Sequence, residues 1–229
     1  MNLFVDRLPE MKEENPGDIS SSFLYNAKIK KLAFARNTLI DWSTFKDNKS
    51  LESLVLPEGL AEIGDHGFFY CQALRSVVIP DSVTSIGEWA FYECTDLQDL
   101  VIPPGVTRIG SCAFYNCGKL RSLVIPEGVE TIENGTFLLC AGLQSLVIPE
   151  SVTSIGKKAF SHCLSLRSIV IPETVASIGN SAFSDCMNLQ SIVIPKGVEA
   201  IGTSTFSGCR SLQSIVLPEG LAEIGERAF

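Results

Sequence analysis

Leucine returns every 23 residues, at Leu51, Leu74, Leu97, Leu120, Leu143, Leu166, Leu189 and Leu212, without a slip. Six residues after each comes proline (Pro57 to Pro218), twelve after each isoleucine (Ile63 to Ile224), and seventeen after each phenylalanine (Phe68 to Phe229). Twenty after each comes cysteine, from Cys71 to Cys209. A fixed period of this length confines the chain to a repeat architecture. One unit cannot bury its own apolar face, so neighbours must stack and identical residues must form ladders. The eight units fill residues 51–229, and the last stops at Phe229, five residues short.

The unit runs L-x-S-[IL]-V-[IL]-P-x-x-V-x-x-I-G-x-x-A-F-x-x-C-x-x. Its first half, Leu166 to Ile171 for example, is β-branched and closes on Pro172, which lacks the amide a continuing strand would donate. Val175 to Ile178 predicts a second short extended piece, and Gly179 is expected to supply backbone freedom for the next turn. Asn180 to Cys186 suits one or two turns of α- or 3-10 helix. A parallel stack advances about 4.8 Å per strand, so eight rungs make a rod of about 34 Å.

This spacing resembles the BspA-like, treponemal-type leucine-rich repeats, a 23-residue class, over residues 51–229. The resemblance implies an α/β fold: a right-handed leucine-rich-repeat solenoid with a parallel β-sheet on one face, and short second strands plus short helices or 3-10 turns on the other. Members of that class are mostly surface or secreted proteins of host-associated bacteria and some protozoa. They act in adhesion and protein binding, and no catalytic residues come with the resemblance. Glu133 departs from it, standing where seven other repeats have glycine, and Asn134-Gly135 is expected to absorb that turn.

Residues 28–50 align as a degenerate ninth unit, with Ile40 and Phe45 at the isoleucine and phenylalanine positions, and are expected to cap the stack. Lys28, Lys30, Lys31 and Arg36 make this cap basic, and residues 1–27 are expected to form an N-terminal arm. Residues 1–50 carry eight basic and seven acidic groups, whereas residues 51–229 carry ten and nineteen, giving +1 and −9 of the net −8. So acidic a body repels phosphate backbones and anionic lipids, which argues against nucleic-acid or membrane-surface partners. No run of about 18 apolar residues is present to insert in a membrane. The polar first twenty residues lack the cationic start and apolar stretch of a secretory signal, while the resemblance points to the cell surface and free thiols to a reducing compartment. The compartment therefore stays open.

Reactive chemistry is sought and not found. Ladder cysteines about 4.8 Å apart have parallel Cβ vectors, and a disulfide wants Cβ atoms about 3.5–4.5 Å apart. They are expected to be small buried hydrophobes, with Cys112, off the ladder, the exposed thiol. His66 and His162 are four rungs, roughly 19 Å, apart and cannot share a metal or a triad. No phosphate loop, G-x-S-x-G or H-E-x-x-H occurs. Ladders place like groups in rows, whereas catalysis needs unlike groups at one point, so the chain is expected to be no enzyme and to carry no cofactor or catalytic or metal site.

Binding surfaces are the remaining source of function. With the first, fourth and sixth residues of each unit inward, the sheet presents valine and serine outward. Val78, Val101, Val124, Val147 and Val170, with Arg75, Arg121 and Arg167, outline a shallow groove suited to an extended polypeptide. In-register sheet propensity alone also accounts for that pattern. The stronger candidate follows the ladder phenylalanine, where the exposed-leaning position runs Phe69, Tyr92, Tyr115, Leu138 and then serine, with Tyr70, Trp89 and Leu139 beside it. Half-exposed, such a cluster shows roughly 400–600 Å², the upper end for a monomer. Its cover is residues 1–27, a protein partner or second copy, or local tucking of each ring. The expectation is a protein-interaction scaffold with an adhesion or surface role. The alternative is a structural module that self-assembles through the aromatic patch or the open C-terminal end.

Overall fold

Each Ser-[Leu/Ile]-Val run is extended, and the proline two residues on ends it. In the computed structural model, which describes residues 18–19, 30–33, 39–40 and 45–229, these runs build a first parallel ladder. Its strands are Lys31–Ala33, Ser53–Val55, Ser76–Val78, Asp99–Leu100, Ser122–Val124, Ser145–Val147, Ser191–Val193 and Ser214–Val216, with Ser168 bridged to Ser191. Register follows the period: Ser53 lies opposite Ser76 and Val55 opposite Val78. A second ladder of two-residue strands runs from Glu62–Ile63 through Ser154–Ile155 to Glu223–Ile224. Asp18–Ile19 pairs in parallel with Leu39–Ile40. Most of residues 1–27, assigned above to an arm, lie outside the described residues.

The architecture is a parallel-strand β-solenoid, and the expected α/β class needs correction: the described residues contain no helix. The segment assigned to helix or 3-10 turns holds two left-handed residues four apart in each rung, such as His66 (φ 60°) and Tyr70 (φ 59°). No helix passes through such residues. Alternate amides there are also committed elsewhere. His66, Phe68 and Tyr70 donate to the carbonyls of Glu88, Ala90 and Tyr92 in the next rung, at 2.9, 2.6 and 2.8 Å. Gly67, Phe69 and Cys71 between them donate back three residues, at 3.2, 3.0 and 3.1 Å. The turns thus form a third inter-rung ladder, which coiling into helix would sacrifice.

Stacked side chains fill the interior. From Phe45 to Phe229 the ladder phenylalanines stack with ring centroids 4.9–5.7 Å apart. The ladder cysteines from Cys71 to Cys186 are buried, as expected, but they are more than apolar filler. Each Sγ donates to the carbonyl of the phenylalanine 26 residues earlier, from Cys71 to Phe45 at 2.8 Å through Cys163 to Phe137 at 3.3 Å. Asn48 takes the cysteine position in the unit at 28–50. Its buried Oδ1 accepts from the amides of Ser50 and Leu51, at 3.0 and 2.9 Å.

The repeated glycine before the turn serves space rather than a special backbone angle. A Cβ on Gly179 would stand 2.5 Å from the Lys157 amide nitrogen, and one on Gly87 the same distance from that of Asp65. Glu133 places a real Cβ in this position. At that junction both ladders break together, between Asp99–Leu100 and Ser122–Val124 and between Arg108–Ile109 and Thr131–Ile132, whereas elsewhere among the eight rungs they break singly, after Ser145–Val147 and after Ser177–Ile178. The turn side stays continuous there, with Phe114 and Asn116 donating to Thr136 and Leu138 at 2.9 and 2.7 Å. Glu133→Gly is expected to close the junction. Regained backbone hydrogen bonds less the entropy of glycine give about 1 kcal/mol, read as a higher urea midpoint and slower amide exchange in Ser122–Val124 and Thr131–Ile132.

Candidate functional site

Because the turns stack in register, the residue after each ladder phenylalanine meets its equivalent one rung away. Phe69 stacks on Tyr92 at 4.9 Å, and Tyr92 on Tyr115 at 4.3 Å, with ring planes within 18° and 9° of parallel. Leu138 takes the next place in the column. All four are half-buried, as are Tyr70 and Leu139, while Trp89 is 40% exposed. Tyr70 meets both Phe69 and Tyr92 edge-on, at 4.7 and 5.6 Å. Faces are consumed by stacking, so the column offers a partner ring edges and phenol hydroxyls. Burial, then the Tyr115 phenol, pushes the Tyr92 phenol up to about 12.

Two members were missed from the sequence although the period contained them. Lys46 is one period before Phe69, and its Nζ lies 5.3 Å from the centre of the Phe69 ring, capping the column with a cation. His66 is one period before Trp89 and packs edge-on against it at 4.6 Å, and against Phe69 at 5.3 Å. Asn116 Nδ2 donates to Glu93 at 2.9 Å beside the column. Cys112, expected to be exposed, is half-buried, and that burial raises its thiol.

Where the column turns to serine it becomes a polar row. Ser161 Oγ lies 2.8 Å from Ser184 Oγ and 2.9 Å from His162 Nδ1, and His162 Nε2 lies 3.5 Å from Asp185 Oδ2. The types are those of a triad. Ser161, however, is only 2% exposed, so an incoming electrophile does not reach its oxygen. The arrangement satisfies a buried hydroxyl.

On the sheet face, Val78, Val101, Val124, Val147 and Val170 are 55–81% exposed, and Arg75, Arg121 and Arg167 are exposed. Lys30 bonds Glu52 at 2.8 Å and holds its carboxyl below the usual range, with Arg75 4.0 Å away. A polar cavity of about 290 Å³ opens between rungs at Gln144, Ser165, Arg167 and Asn188. The face is an apolar stripe edged by arginine. Among the described residues no three His, Cys, Asp or Glu side chains gather as metal ligands, and no helix is long and apolar enough to cross a membrane.

A model of the BspA type leucine rich repeat region matches residues 17–144 and 130–229, with six copies. Similar solved structures include a leucine-rich repeat protein from T. pallidum, 30% identical, covering 86% of this chain and 78% of that one with a TM-score of 0.53. A leucine-rich repeat protein from Bacteroides ovatus is 24% identical, covering 90% of this chain and 77% of the other with a TM-score of 0.50. No curated protein matches the chain.

Proposed function

From the premise that the chain belongs to the BspA-type leucine-rich repeat family, we propose that it is a non-enzymatic scaffold that binds a protein partner through its aromatic column. Family membership supports the class of function. The observation that carries the site is the half-exposed stack of Phe69, Tyr92 and Tyr115, capped by Lys46 and flanked by Tyr70, Trp89, Leu138 and Leu139. The ladders need only the inward residues, so rings at an outer position add something that stacking does not require. Aromatic edges with hydroxyl tips are the surface from which hot spots are made. A bacterial surface or adhesion setting is part of this proposal and rests on the family alone.

The test is the triple variant Phe69→Ser, Tyr92→Ser, Tyr115→Ser, with Glu150→Ala at an exposed edge as control. The triple variant is expected to lose partner binding by at least about tenfold in a surface-binding assay. Its far-ultraviolet circular dichroism should stay as in the parent. Unchanged binding would remove the column as the site.

A further inference from the structure

The sheet face, separate from the aromatic column, carries a pattern of charge beside valines that sheet propensity already accounts for. Its outermost residue is valine in all eight rungs, and the last seven valines are 53–81% exposed, a continuous apolar stripe. Beside it the second residue of each rung runs Glu52, Arg75, Gln98, Arg121, Gln144, Arg167, Gln190, Gln213. Counting rungs from Leu51, arginine occupies two, four and six, even rungs only. Serine stands third in every rung except the third, where it is Asp99.

We propose that this face is the interface of a homodimer, two copies packed sheet to sheet about a two-fold axis that runs along the strand direction between rungs four and five. Such an axis reverses the order of rungs and keeps the order of residues within a strand, so valine meets valine and second residue meets second residue. Registers that set even rungs against even rungs bring arginine onto arginine: Arg121 onto itself, or onto Arg75 or Arg167. Registers that set even against odd never do. The one that overlaps all eight rungs pairs Arg75 with Gln190, Arg121 with Gln144, and Arg167 with Gln98. It also brings Asp99, the one acidic residue in the serine row, beside Arg167 of the second copy, and does so twice by symmetry. Within these two columns opposite charges meet and like charges do not, which is how a self-complementary surface sets register. The body is strongly acidic, but the second and third columns of this face hold three arginines against Glu52 and Asp99, so the contact itself is not acidic. The stripe is about 34 Å long and about 13 Å wide, a footprint of roughly 450 Å² per copy against the ~800 Å² of a standard interface, which fits a reversible, micromolar dimer. Both aromatic columns stay free, making the dimer bivalent.

Sedimentation velocity of the full chain tests this. The parent is expected to be dimeric at about 100 μM and to dissociate on dilution into the low micromolar range. Asp99→Arg alone and Arg167→Asp alone should each weaken the dimer about tenfold or more, and the two together should restore it, since the swapped charges meet again. A parent that stays monomeric at about 100 μM, single variants with unchanged dimers, or a charge swap that restores nothing each overturns the proposal. The Phe69, Tyr92, Tyr115 triple serine variant should dimerise as the parent does, so failure of the column and failure of this interface are told apart.

Discussion

Phe137→Ala is expected to destabilise the protein by about 3–5 kcal/mol. Phe137 has no solvent exposure, and its ring stacks between Phe114 and Phe160 at 5.5 Å on either side. Truncation removes apolar burial and both ring contacts at once, and collapse into the gap is resisted by three backbone ladders on the side of Phe160 and by the turn ladder on the side of Phe114. In a stack where each rung touches only its neighbours, that loss lands on the coupling between the two halves. It falls beside Glu133, where the sheet ladders are already interrupted. The expected readout is a lower urea midpoint together with a shallower or biphasic transition, as the halves unfold separately. Val124→Ala, which trims a side chain 60% exposed on the sheet face, is the contrast and should cost well under 1 kcal/mol. Equal costs for the two would mean that the phenylalanine column is not what couples the rungs.

The ladders were legible in the sequence because stacking allows one residue type per interior position, and the period displays it directly. Leu51, Pro57, Ile63, Phe68 and Cys71 each fall where the repeat requires, and strand register follows without further information. Backbone conformation at the turns was not legible in the same way. The first left-handed position of each rung holds His66, Trp89, Cys112, Gly135, Lys158, Ser181, Ser204 and Arg227, a set with no common chemistry, so they look like free helical surface. Their one shared property is negative: no β-branched residue stands at any of them, as left-handed geometry demands. The glycine before the turn misled for a related reason, since an invariant glycine suggests an unusual φ and here marks a close approach of rungs. For the candidate site, periodicity picked out Phe69, Tyr92 and Tyr115. That the rings stack face to face, and that Lys46 and His66, at the same ladder positions one unit earlier, join them, depends on the turn conformation, which the repeat does not display.

The thiol ladder should make the fold collapse in mild alkali. Cys71, Cys94, Cys117, Cys140, Cys163 and Cys186 have no solvent exposure, and burial raises every one of their thiols, to about 12 for Cys71 and for Cys140. Each is also held protonated by its task, because only S–H donates to a phenylalanine carbonyl and a thiolate would face that carbonyl with like charge. In the unfolded chain the same groups titrate near their ordinary value, 9.0. Above that pH the unfolded state holds fewer protons than the folded one, so stability falls as pH rises and is whole below it. By pH 10 each thiol has given up roughly 1 kcal/mol, and together they reach several kcal/mol, a large part of the 5–15 kcal/mol of a typical domain. Urea titrations under reducing conditions are expected to give a flat midpoint from about pH 6.5 to 8 and a steep fall above 9, with unfolding near pH 10. Replacing Cys117 and Cys140 by alanine removes two of the seven ladder thiols, all of them raised, so the alkaline slope should fall by roughly a quarter even though each variant starts less stable for want of a hydrogen bond. A midpoint unchanged up to pH 10 would show that the buried thiols do not stay protonated in the fold.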